Sequence, residues 1–171
     1  PVPVTVPVPE AGGVVHLIEG TLIRFAGDQG QEVGTQPCPP RIWRDMSSYR
    51  EFLLLAAAEA DEGLADVVLA GGDPEPPALW AALRTATIAG RLFPCFGGSA
   101  LRNLGVQPLL DAVVELLPAP GDRPPSRAIR SDGSTEQVAI ESKGPLAALV
   151  FKVQMWEGRR HVFARVYRNQ L

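Results

Sequence analysis

The sequence predicts an α/β unit over residues 1–120 followed by an all-β segment over 121–171. Three observations carry that reading. The hydrophobic period is helical through the middle of the chain and becomes 2 toward the C-terminus, a change from helix to strand patterning. Between the two lies Pro118-Ala119-Pro120-Gly121 with Pro124-Pro125, a stretch that no regular element tolerates. The charge also divides there. Residues 1–120 carry 7 Arg and no Lys against 14 acids, a balance of -7, and 121–171 carry 9 cations against 5 acids, a balance of +4. A chain of 171 residues holds one average domain or two small ones.

The elements follow in order. Val2, Val4, Val6 and Val8 alternate with Pro3, Thr5 and Pro7, and the missing proline donors predict an edge strand or an extended lead-in. Val14 to Ile18 and Thr21 to Phe25 read as two short strands around Glu19-Gly20, and 26–40 reads as a loop. Met46 to Ala60 is predicted helical, with Asp45, Ser47 or Ser48 as its N-cap. Leu64 to Ala70 is a shorter helix stopped by Gly71-Gly72, and Asp73-Pro74-Glu75-Pro76-Pro77 reads as the entry to another that ends near Gly90. Leu92 to Phe96 reads as a strand covered on both faces, which would bury Cys95. After Gly105, the residues Val106, Leu109, Leu110, Val113, Val114 and Leu117 form an apolar helical stripe, predicted to face the core. Beyond the linker, Arg127–Arg130 and Gln137–Glu141 flank the turn Ser131-Asp132-Gly133-Ser134. Leu146–Met155 and Val162–Tyr167 pair across Glu157-Gly158-Arg159-Arg160, which puts Arg159 and Arg160 at a hairpin tip.

Most enzyme chemistries find no footing. Cys38, Cys95, His16 and His161 are scattered, without the close ligand pairs of a zinc site, so no metal site is expected. Cys95 in an apolar strand is a poor nucleophile, and no catalytic residue is assigned. The glycines do not form a dinucleotide fingerprint. A phosphate loop needs Gly-Lys-Ser/Thr, but Lys143 follows Ser142 and Lys152 follows Phe151. No apolar run reaches the roughly 18 to 20 residues of a membrane helix, so a soluble protein without a membrane partner is expected, and two cysteines read as reduced thiols point to the cytoplasm.

Several segments nevertheless resemble one family. Ala82-Leu83-Arg84-Thr85-Ala86-Thr87-Ile88-Ala89-Gly90-Arg91-Leu92-Phe93-Pro94 resembles the end of the GTPase domain of elongation factor G-like translational GTPases. Gly98 to Gln107 and Leu109 to Val114 continue that likeness, and Leu117-Pro118-Ala119-Pro120 resembles the exit into the second domain. Gly144 to Val153 and Arg165-Val166-Tyr167 are similar to the first strands of its barrel, and Pro7-Val8 through Phe25 to the opening of its GTPase-domain insert. The likeness is dense over 78–117 and 144–171 and thin over 26–77. Leu104 stands where the family usually has Lys, and Arg168-Asn169-Gln170 where it has Ser-Gly-Thr.

The resemblance implies a fragment. Residues 1–120 would be an insert subdomain with the C-terminal part of a GTPase domain, and 121–171 the beginning of a domain II-like β-barrel. It implies a guanine-binding motif at Ser99-Ala100-Leu101, with backbone N–H groups meeting the guanine oxygen. It also implies GTP or GDP with magnesium in the full-length parent, no nucleotide bound to this fragment, and the ribosome as partner, with Arg159 and Arg160 as contacts to ribosomal RNA. The chain alone would be inactive as a GTPase. A barrel cut short would expose a strand edge to pairing with a second copy. The rival reading is a non-catalytic interaction module whose basic β half binds RNA or an acidic protein. A weaker one is a hydrolase using Cys95.

Overall fold

The valine-rich start of the chain is a strand, β1 (Val2–Val8), but it lies inside a sheet and not at its edge. In the computed structural model, which describes residues 1–170, β1 pairs antiparallel with β2 (Gly13–His16). Its other side pairs in parallel with β5 (Pro94–Phe96). The prolines survive this position because β5 is so short. Val2 N–H donates to Phe93 O on the β5 side, but after the register shift Leu17 N–H donates to Val4 O at 2.8 Å, which turns Val4 and Val6 toward β2 and Pro7 toward the β5 side. There Pro7 lies beyond Phe96, where the ladder has ended, and Pro3 sits at a register shift. The sheet continues through β3 (Thr21–Ala26) to β4 (Glu32–Pro37), giving the order β4-β3-β2-β1-β5. The expected loop over 26–40 therefore contains a strand. All six β4 residues are exposed, and pairing with β3 alone defines them.

Helices cover the sheet. Helix α1 (Pro40–Asp45) runs almost directly into α2 (Ser47–Ala58), with Met46 between them. None of Asp45, Ser47 or Ser48 caps α2 through its side chain, because Met46 already lies in the helical region and its carbonyl accepts from Arg50 N–H. Asp61 does cap α3 (Glu62–Leu69), accepting from Leu64 N–H at 3.0 Å. Helix α4 (Pro76–Ile88) begins at the last two residues of the expected 73–77 entry, its two prolines. The core joins Val4, Val15, Leu17 and Leu22 of the sheet to Leu53, Leu79 and Leu83 of the helices, all fully buried.

Helix α5 (Val106–Leu116) departs from expectation in its orientation. It buries Pro108, Ala112 and Leu116, one apolar stripe at i, i+4, i+8. The predicted core stripe faces outward instead, with Leu110 60% and Val114 77% exposed. Arg84 of α4 holds this setting by donating to the carbonyls of Glu115 and Leu117. Strand β5 is likewise half open. Cys95 is exposed and not a core thiol, because β5 is an edge strand with a partner on one side only.

His16, at the end of β2, is only 6% exposed. Burial lowers its pKa below 6.5, opposed by the nearby Glu19 carboxylate. The unfolded chain therefore takes up a proton near pH 6.5 that the folded chain resists, and stability falls as pH drops through that region. Urea unfolding at about pH 8 and about pH 5.5 should show this loss, and His16→Gln should reduce it.

The chain divides into two compact units, 1–117 and 118 onward. Apart from one 3₁₀ turn at Pro120–Asp122, the second is built from strands. Strands β6 (Ser126–Ile129) and β7 (Thr135–Val138) form one hairpin, and β8 (Ala147–Trp156) and β9 (Arg159–Arg168) a longer one. Glu136 of β7 receives Arg130 and Arg168, whose hydrogen bonds hold its carboxyl below the usual range. The long hairpin turns on Glu157 and Gly158, both at positive φ (50° and 73°). Its turn is thus two residues, and Arg159 and Arg160 are the first residues of β9, opposite Trp156 and Met155.

Candidate functional site

The loop that follows β5 is built by close backbone approach. Gly97 N–H donates to Thr5 O at 3.2 Å and to Thr5 Oγ1 at 3.0 Å, fastening the end of β5 to β1. Ser99 and Leu104 then exchange two backbone hydrogen bonds, Ser99 N to Leu104 O at 2.8 Å and Leu104 N to Ser99 O at 3.0 Å. The segment they bracket closes on itself like a clasp. Two glycines allow it. A Cβ on Gly98 would lie 2.4 Å from Leu104 O, and Gly105 combines φ of +78° with a Gly97 carbonyl that would stand 2.8 Å from its Cβ.

Inside the clasp, Ala100–Arg102 is a single turn of 3₁₀ helix, entered from an extended Ser99 (φ −135°, ψ 100°). The amides of Ala100 and Leu101 open that turn and have no acceptor within it. Leu101 is 98% exposed, so a large apolar side chain stands in solvent at the apex. The loop lies at the C-terminal end of the parallel β1–β5 pair, where open α/β sheets place ligands.

A second segment completes the concavity. Residues 27–30, between β3 and β4, line a hollow of about 750 Å³ together with Phe25 and residues 100–104. Gly30 lies against the carbonyls of Arg102 and Asn103, and Gln107 Nε2 approaches Gly30 O at 3.5 Å. Sequence reasoning identifies 27–30 only as loop. Its single local signal is the Gly27-Asp28-Gln29-Gly30 pattern, which marks a turn and says nothing of what the turn touches.

The structure thus brings Ser99, Ala100 and Leu101 together at one exposed loop. It does not bring Arg159 and Arg160 to a common tip. As successive strand residues they point to opposite faces of the β8–β9 hairpin. Cys95 Sγ lies 3.5 Å from Phe93 O, whereas His16 is occupied with Glu19 and Trp80, so among the described residues no thiol–imidazole pair supports a hydrolase. Among the described residues no three His, Cys, Asp or Glu side chains gather as a metal site, and no helix is long and apolar enough to cross a membrane.

Comparison with known proteins gives a consistent result. No family model matches the sequence. An elongation factor G 2 of Geobacter metallireducens is 43% identical over 157 residues, covering 91% of this chain and 23% of that protein. An elongation factor G 2 of Syntrophus aciditrophicus is 39% identical over 176 residues, covering 100% and 26%. An elongation factor G of Fervidobacterium nodosum is 37% identical over 177 residues, covering 100% and 25%. The chain therefore spans about a quarter of the length of these relatives. A crystal structure of a Thermus thermophilus protein superposes with a TM-score of 0.72 at 29% identity, covering 99% of this chain and 23% of that one.

Proposed function

This chain is homologous along its length to one segment of elongation factor G, and on that premise we propose that it works as part of a ribosome-associated GTPase. Residues 1–120 contribute the insert subdomain and the last strand and helix of the GTP-binding domain, and the segment from 121 begins a β-barrel. The single observation that carries the reading is the clasp at Ser99-Ala100-Leu101. It presents backbone amides at the C-terminal end of the parallel strand pair, where a guanine oxygen would accept from them.

The fit of a guanine nucleotide to these residues is partial. The clasp can read the base, but the sequence offers no Gly-Lys-Ser/Thr loop for the phosphates or magnesium. The open side of β5 and the outward apolar stripe of α5 are consistent with one part of a larger GTP-binding domain. Strands β8 and β9 form a two-stranded sheet, and their outer edges are where a second copy would pair. Arg159 and Arg160 serve as phosphate contacts from opposite faces of that hairpin. An RNA-binding or acidic-protein-binding module independent of any GTPase has less support, since Arg130 and Arg168 are already engaged with Glu136.

Calorimetry tests the reading in two arms. Two backbone donors supply about 1 to 3 kcal/mol, less than the roughly 4 kcal/mol of a millimolar complex. The chain alone should therefore show no measurable GDP or GTP binding and no phosphate release. In the full-length gene product, Ala100→Pro should weaken GDP by about tenfold without lowering the melting temperature. Extended Ser99 suits a residue before proline, and the first position of a helical turn tolerates it. Micromolar binding by the chain alone, or unchanged affinity in the variant, would overturn the assignment.

A further inference from the structure

The clasp at 99–104 is slight by itself. It consists of one turn of 3₁₀ helix and one pair of backbone hydrogen bonds. Asn103 closes it from the left-handed region (φ 53°), a conformation that costs a non-glycine residue free energy. Leu101 adds no packing, since it stands in solvent. Donors on such a loop meet a ligand at fixed positions only if neighbouring groups hold the loop.

The turn at 27–30 provides that hold from a distant part of the chain. Gly30 N–H donates to Gly27 O at 3.3 Å, and both glycines have positive φ (61° and 83°). Gly30 is buried against the closing half of the clasp. A Cβ there would stand 2.9 Å from Arg102 O, 2.9 Å from Asn103 O and 3.2 Å from Leu104 Cδ2. Leu104 is the residue whose N–H and carbonyl both bond Ser99. Gln107, the second residue of α5, completes the contact, with Nε2 3.5 Å from Gly30 O. Its Oε1 is buried without a partner among the described residues. A carbonyl can receive only the NH₂ end of the amide, so Gly30 fixes its orientation and leaves Oε1 stranded. A half-satisfied buried amide is a poor means of stabilising a fold, and an apolar side chain of similar length would cost less.

We propose that Gln107 and the turn 27–30 are positioning residues that hold the Ala100 and Leu101 amides in the geometry that selects guanine. The inference rests on the reading of the clasp as a guanine site. None of these positioning groups has to touch the base. Gly30, 77 residues before Gln107, bears on the carbonyls of Arg102 and Asn103, and through them on the hydrogen bonds that close the loop. Their contribution is selective. It acts on the guanine oxygen that the amides meet, and not on the sugar or the phosphates.

The test compares Gln107→Met, Gly30→Ala and Ala100→Pro in the full-length gene product. The probes are GDP and 2-aminopurine riboside diphosphate, which has hydrogen where guanine has its oxygen. Affinity for GDP should fall about threefold in Gln107→Met and about tenfold in Gly30→Ala, with affinity for the 2-aminopurine nucleotide unchanged. In the 171-residue chain without nucleotide, Gln107→Met should speed hydrogen exchange at the Ser99 and Leu104 amides and leave the melting temperature in place. Methionine keeps the side-chain length and the helix propensity, so this variant decides the matter if Gly30→Ala fails to fold. Unchanged GDP affinity in Gln107→Met, where Ala100→Pro weakens it, would overturn the positioning role and leave the clasp a guanine site. An equal loss for both nucleotides, or unchanged exchange at Ser99 and Leu104, would overturn it too. No effect of Ala100→Pro would remove the guanine reading itself, and this inference with it.

Discussion

Replacing Arg50 by alanine is expected to cost about 3 kcal/mol of stability. Arg50 sits in α2 with only 8% of its surface exposed. Its Nη1 donates to Leu17 O at 2.8 Å and its Nη2 to Asp73 Oδ1 at 2.5 Å. One side chain thus ties the end of the β1–β2 core to α2 and to the segment that leads into α4. Truncation leaves the carbonyl of fully buried Leu17 without this donor and opens a hole beside it. An unsatisfied buried acceptor costs about 1 to 3 kcal/mol, and the lost side-chain packing adds to it. Asp73→Asn should be far milder, about 1 kcal/mol or less, because the Asp73 side chain is 72% exposed and water replaces the charge. Urea denaturation of both variants checks the pair. An Arg50→Ala loss no larger than that of Asp73→Asn would remove the clamp from the account.

Gly98→Ala is expected to be comparably damaging, at about 2 to 4 kcal/mol, and to destroy the clasp. The added Cβ would stand 2.4 Å from Leu104 O and 3.3 Å from Gly105 Cα, both backbone atoms that cannot rotate away. The Ser99–Leu104 hydrogen bonds must open to admit it. Hydrogen exchange should report this as lost protection at the amides of Ser99 and Leu104, and thermal unfolding as a lower midpoint. Gly34→Ala supplies the contrast. Nothing lies within 4 Å of a Cβ there, so its effect should stay within about 0.5 kcal/mol. Retained protection at Ser99 and Leu104 in Gly98→Ala would mean that the clasp closes without need of glycine.

Which features can be read from the chain follows from how far apart their determinants lie. Helices α3 and α4 are legible because their signals sit within a turn of one another: Asp61 before Leu64, Pro76-Pro77 at an entry, Gly71 and Gly90 at exits. The 157–158 turn is legible for the same reason, though sequence reasoning makes it two residues too long. That displacement puts Arg159 and Arg160 at a tip they do not occupy. The motif Ser99-Ala100-Leu101 is visible through resemblance, and the glycines before it through their steric freedom.

Other features have no local cause. Every residue of Glu32–Pro37 is exposed, and the segment is a strand only because β3 offers it a ladder. Pro3 and Pro7 argue for an edge, yet the interior place of β1 is decided by a three-residue partner some 90 positions away. Composition favours burying the wide stripe of α5, but Arg84 and the packed surface of α4 select the narrower Pro108-Ala112-Leu116 face. A cleft in the first unit joins His16 and Glu19 to Trp80, 61 residues beyond Glu19, and to acids on α5. The sequence by itself determined where the chain turns and coils and which family it resembles, since backbone torsions and caps respond to neighbours within a few residues. Tertiary structure alone decided which strand is interior, which helix face is dry and which side chains share a cavity. Those outcomes depend on what distant segments leave uncovered, and burial is a property of the assembled surface and not of any residue in it.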